Sequence, residues 1–162
     1  MDQSKEIRNY SIAVLVFAVV MLLIGFLLVF DAIGLFAFGD EVMGVASQES
    51  TELEDLILST GTSSAAVLVG IISLIGGIYE IITGIVGIRA YRNPFTVKAF
   101  IVLAAISLIY FVIDIILVVV NGFSIGWDSS WDNIARDLPG VVFSILAVST
   151  GSKLRQLVQG NQ

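Results

Sequence analysis

The chain has 162 residues, a length for one domain, and 57% of them are apolar against 14% charged, well outside the soluble globular range. It contains no cysteine and no histidine, which excludes disulfide-pinned loops, thiol redox chemistry and nearly all zinc chemistry. The net charge of −6 matters less than where the charges fall.

Four apolar segments are expected to span a bilayer, at about 11–38, 63–88, 95–120 and 138–157. The first follows Lys5 and Arg8 and superficially resembles a signal peptide. Its apolar run is about twice the length of a signal core and lacks a small-x-small cleavage site before Asp40, so it reads as a retained signal anchor. Small residues recur along it every seventh position, at Ser11, Ala18, Gly25, Ala32 and Gly39.

The first outer loop, 39–62, is polar and acidic. Within it Thr51-Glu52-Leu53-Glu54 forms a capping-box pattern, and Leu53, Leu56 and Ile57 follow at helical spacing. A short helix running into the second span is expected there.

The second span has two stripes. Ser63, Ala66, Gly70, Ser73, Gly77, Glu80, Gly84 and Gly87 alternate by three and four and so share one helix face. Beside them run Val67, Ile71, Leu74, Ile78, Ile81, Ile85 and Ile88, all aliphatic. Close helix contact in lipid depends on small residues, so the first stripe reads as a packing seam and the second as a lipid face. Arg89-Ala90-Tyr91-Arg92-Asn93-Pro94 then reads as a tight turn, because Asn-Pro breaks the helix.

In the third span Ala104, Ser107, Asp114 and Asn121 share a face. The second outer loop, 121–137, places Trp127 and Trp131 at helical spacing with Ile134 and Leu138, as expected of an interfacial helix anchored at headgroup level. On the fourth segment Arg136, Gly140, Ser144, Ala147 and Gly151 form a stripe, and Lys153 and Arg155 close it. Small or polar seams with a period near 3.5 in all four segments predict an all-α integral membrane four-helix bundle. Its packing is expected to be left-handed and antiparallel, with crossing angles of about 20°.

Seven of the eight basic residues fall on one side of this topology, Arg136 being the exception, while acids crowd the two outer loops. The positive-inside rule then places both termini in the cytoplasm. Cysteine-free outer loops and small size point to a prokaryotic cell membrane.

Three acids interrupt apolar segments: Asp31, Glu80 and Asp114. An ionisable group in hydrocarbon is costly, so each is a candidate for function. Asp31 and Asp114 are expected about 8–10 Å to the outer side of their helix midpoints, at the level of Arg136. A structural charge cluster of these three residues follows, with Arg136 neutralising one or both acids. Glu80 is expected about 6 Å to the cytoplasmic side, within reach of Ser107, Ser149 and Thr150 and further from Lys153. A neutral acid hydrogen-bonded to a hydroxyl is its simplest state, acting as interhelical glue; a protonatable transport site is the alternative.

Known families narrow this little. Small multidrug-resistance exporters carry their working glutamate in the first helix, and lipoprotein signal peptidases surround their aspartates with motifs missing here. Tetraspanin- and claudin-like proteins share the layout but rely on outer-loop cysteines. Gly84-Ile85-Val86-Gly87-Ile88-Arg89, Asn93-Pro94 and the basic tail resemble small prokaryotic four-helix membrane proteins, a resemblance that brings no activity with it. The expected role is structural, accessory or interaction-based, with no catalysis, cofactor, metal, nucleic acid or small-molecule ligand. The lipid bilayer, a second copy or a larger membrane complex are the expected partners; the alternative is a proton- or cation-coupled transporter or channel subunit using Glu80.

Overall fold

A computed structural model describes residues 3–44, 52–125 and 130–160. Four helices fill it: α1 (Gln3–Gly44), α2 (Glu52–Arg92), α3 (Val97–Ile125) and α4 (Ser130–Gln159). No strand occurs among the described residues. Each helix has a stretch long and apolar enough to cross a membrane: Ser4–Gly34, Gly70–Arg92, Pro94–Ile116 and Asp137–Gln159.

The helices outrun the apolar segments. Much of both expected outer loops is helical, since α1 runs on to Gly44, α2 starts at Glu52, and α4 starts at Ser130. The helix expected after Thr51 is therefore continuous with the second span; Thr51 itself lies outside the described residues. The early start of α4 puts Pro139 inside a helix, where it offers no N–H to the Ala135 carbonyl.

The α2–α3 turn forms as the Asn-Pro pair dictates. Asn93 takes an extended backbone, with φ −136° and ψ 92°, and its Oδ1 accepts from the Phe95 N–H. The Asn93 N–H donates to Arg89, closing α2, and its carbonyl accepts from the Thr96 N–H and hydroxyl. Pro94–Thr96 make one 3-10 turn, and α3 follows at once.

The chain divides into two compact units, 1–23 with 80–162, and 24–79. In the first, all four helices contribute to one core of Val14, Ala18, Met21, Ala90, Val97, Phe100, Ala104, Ala147 and Leu154. Phe17 packs on Phe143 with ring centroids 6.4 Å apart. A Cβ on Gly140 would meet the Phe111 ring at 2.6 Å, and one on Gly151 would meet Ile101 at 2.8 Å, so α3 and α4 run antiparallel in close contact. In the second unit the same test puts Gly77 2.8 Å from the Gly25 carbonyl and Gly70 3.1 Å from the Phe36 ring.

Burial follows the heptad. On α1 Ser11, Val14, Ala18, Met21, Gly25, Leu28 and Ala32 are buried, in alternating steps of three and four. On α3 Val97, Phe100, Ala104, Ser107 and Phe111 are buried, and on α4 Asp137, Gly140, Ser144, Ala147, Gly151 and Leu154. Large aliphatic and aromatic side chains such as Leu27, Phe30, Ile75 and Ile109 are exposed instead. Greasy outside and small inside is the inverse of a soluble bundle, and it is what lipid solvation selects.

Candidate functional site: a buried acid on the glycine face of the second helix

On α2 the buried face comprises Gly70, Gly77, Glu80, Gly84 and Gly87, with Ser73 half-buried. It is wider than the predicted stripe, because Gly76, Thr83 and Ala90 are buried as well. Ser63 and Ala66 lie outside the described side chains. The adjoining aliphatic stripe is exposed at Val67, Ile71, Ile78 and Ile85 and half-buried at Leu74, Ile81 and Ile88.

The glycines set the spacing at this face. A Cβ at Gly84 would come within 2.7 Å of the Ala18 carbonyl oxygen and of Leu22 Cβ. One at Gly87 would meet Ala18 Cβ at 2.5 Å and the Phe100 ring at 2.7 Å. At Gly84 the α2 backbone packs almost directly against that of α1, one turn from Glu80.

Glu80 itself is 1% exposed. Neither carboxyl oxygen has a hydrogen-bond partner among the described residues, and the same holds for the Ser107 and Ser144 hydroxyls, both fully buried. The Ser107 hydroxyl is close enough to act on the Glu80 carboxyl, though short of hydrogen-bond geometry. The α3–α4 register, with Phe111 on Gly140 and Ile101 on Gly151, sets Ser107 opposite Ser144. Ser107 thus lies beside the Glu80 carboxyl and across from Ser144.

Buried polar groups without partners are rare, and each costs about 1–3 kcal/mol, more if charged. The helical N–H groups of this level are already used within their helices, so a neighbouring hydroxyl such as that of Ser107 is left to serve the acid. A protonated Glu80 can donate to the Ser107 hydroxyl; an ionised one would need a compensating cation.

Of the hydroxyls expected near Glu80, Ser107 is there. Ser149 is exposed and Thr150 half-buried; the fully buried hydroxyl of α4 is Ser144, about a turn and a half earlier. Lys153 is exposed. On α4 the buried stripe runs through Asp137, Gly140, Ser144, Ala147 and Gly151, and Ser149 and Thr150 lie off it.

Asp137, 3% exposed, heads the α4 stripe in the place expected for Arg136. The spacing 137, 140, 144, 147 could have revealed it. The Arg136 side chain lies outside the described residues, and with it the expected clasp on Asp31 and Asp114. Asp31 is exposed on α1 one turn before the end of its span, and Asp114 is half-buried on α3. Trp127 and the Trp131 side chain also lie outside the described residues. Among the described residues no three His, Cys, Asp or Glu side chains gather to hold a metal. No known protein family, curated protein or solved structure matches the chain.

Proposed function

We propose that this chain is a structural or accessory multi-pass protein of a prokaryotic cell membrane, with both termini cytoplasmic and no catalytic activity of its own. Its helices pack as a left-handed antiparallel bundle, and its products are contacts: with lipid, with a second copy, or with a larger membrane complex. The observation that carries the reading is the close approach of α1 and α2 at Gly84, where a single methyl group has no space. A seam this tight is densely packed over backbone atoms that have no rotamers to exchange, which supports a fixed scaffold. Purification in mild detergent, with mass measured by light scattering and co-purifying membrane proteins identified, tests it. A reproducibly solitary monomer refutes the accessory role.

A second reading is favoured by a specific observation, the partnerless Glu80, Ser107 and Ser144. In it the cluster takes up a proton or small cation during transport, since intramembrane acids commonly mark ion pathways. Proton and sodium flux into liposomes, wild type against Glu80→Gln, decides. Equal flux in both removes transport; flux lost in a variant of unchanged helicity and melting removes the scaffold reading.

A further inference from the structure

A groove of about 280 Å³ opens where α3 begins and α4 ends, at the basic end of the molecule. Its lining includes Pro94, Phe95, Lys98, Arg155, Val158 and Gln159. Enclosed small-molecule sites run from roughly 300 to 1,000 Å³, so this groove is small for a metabolite, and it is open besides. We propose that it binds the phosphate head group of an anionic glycerophospholipid.

Three observations converge on that occupant. The first is level: the spans Pro94–Ile116 and Asp137–Gln159 respectively begin and end at the groove, which therefore sits where hydrocarbon gives way to head groups. The second is charge. Lys98 and Arg155 are both exposed, and the stretches 81–113 and 138–162 hold five basic residues and no acid. Only the start of α1, with Glu6, brings a carboxylate to this end of the described chain. The α3 amides add positive potential and the last α4 carbonyls subtract it, so the two side chains decide the sign.

The third observation is the apolar floor. Phe95 is 69% exposed beside the two cations, and exposed Val102 and Ile106 continue along α3 from it. Cations above an aliphatic track match a lipid, head group at the rim and acyl chain along the helix, whereas free phosphate has no use for the track. Lys98 and Arg155 grip the phosphate oxygens while Phe95 packs on the glycerol and first methylenes. The proposal rests on the membrane reading of the four helices.

The test is native mass spectrometry of the delipidated protein, offered equimolar phosphatidylglycerol and phosphatidylcholine of matched chains, with inorganic phosphate in a separate arm. Phosphatidylglycerol should be retained several-fold over phosphatidylcholine. Lys98→Gln and Arg155→Gln should each reduce its retention about fivefold, given the worth of one cation at a membrane surface, while Arg92→Gln should not. Both side chains are exposed, so the variants fold; should the double variant not, the single ones carry the test. Equal retention of both lipids, or a preference that survives both substitutions, overturns the proposal. Phosphate competing without any lipid preference overturns it in favour of a soluble anion. Alkaline extraction of native membranes keeps the premises apart: protein released into the soluble fraction defeats the membrane reading, while a membrane-retained protein without lipid preference defeats this site alone.

Discussion

Three glycines that look alike in sequence should respond in opposite ways to one added methyl group. At Gly84 the methyl would lie 2.7 Å from Ala18 O and Leu22 Cβ and 3.0 Å from Leu22 N, and most of that wall is backbone. Restoring ordinary contact at 3.4 Å requires α1 and α2 to part locally by roughly 0.7 Å, which forfeits a quarter to a half of the dispersion attraction across the seam. Overpacking against atoms that cannot rotate away costs about 2–3 kcal/mol, and alanine's better helix propensity returns up to about 1. Gly84→Ala should therefore lose about 1–2 kcal/mol. At Gly34 nothing lies within 4 Å, so only the propensity gain remains, and Gly34→Ala should be stabilised by about 0.5–1 kcal/mol. Gly70 falls between, because it faces the Phe36 ring at 3.1 Å and that half-exposed ring can turn. Reversible unfolding by sodium dodecyl sulfate in mixed micelles, followed by helicity, measures all three. If Gly84→Ala proves as stable as Gly34→Ala, the close approach of α1 and α2 is wrong.

Ser144→Ala removes a buried hydroxyl that has no partner among the described residues, so it should leave stability unchanged or raise it by up to about 1 kcal/mol in the same assay. Ser107→Ala takes from Glu80 the hydroxyl beside its carboxyl and should cost about 1 kcal/mol; equal effects of the two substitutions would refute the Glu80–Ser107 proximity. Gly140→Val should be destabilising because the Phe111 ring fills its site, and Phe111→Ala should rescue it, with a coupling of about 1–3 kcal/mol in a double-mutant cycle. Additive effects would refute the α3–α4 register. The cysteine-free chain allows single-cysteine mapping of topology: Gln156→Cys should react only with reagents that reach the cytoplasm, and Ser50→Cys with reagents confined outside. The opposite pattern would invert the orientation.

The seams were legible because burial in lipid and residue size are tied together. A seven-residue recurrence of Gly, Ala and Ser identified the buried face of α1 and most of that of α2. Large buried residues escaped the same rule: Val97, Phe100, Phe111 and Leu154 lie on seam positions, yet by composition each passes for lipid-facing. Period alone would have caught them, since they complete the steps of three and four. Helix length was hidden for a different reason. Hydropathy reports where hydrocarbon ends, not where hydrogen bonding ends, so α1 and α2 continue through polar sequence that reads as loop. The expectation of Ser149 and Thr150 missed for another reason: the buried stripe of α4 passes through Ser144, Ala147 and Gly151, and neither lies on it. Glu80 itself stood out at once, because a lone acid among glycines and isoleucines has no bland surface position to occupy.

The Asn93-Pro94 turn has a bearing on how the chain enters a membrane. α2 carries a carboxyl in its middle and has a mean hydropathy of 2.0 across its span, against 2.7 for the span that follows. Acids at the centre of a span oppose insertion by about 2.5–3.5 kcal/mol on translocon scales when charged. Since only one 3-10 turn separates the two helices, α3 emerges while α2 is still within reach, and the pair can leave the insertion machinery as a hairpin with Glu80 turned towards Ser107. On the membrane reading, the shortness of the link would let a strongly apolar helix carry in a weaker one, with the acid already facing a hydroxyl.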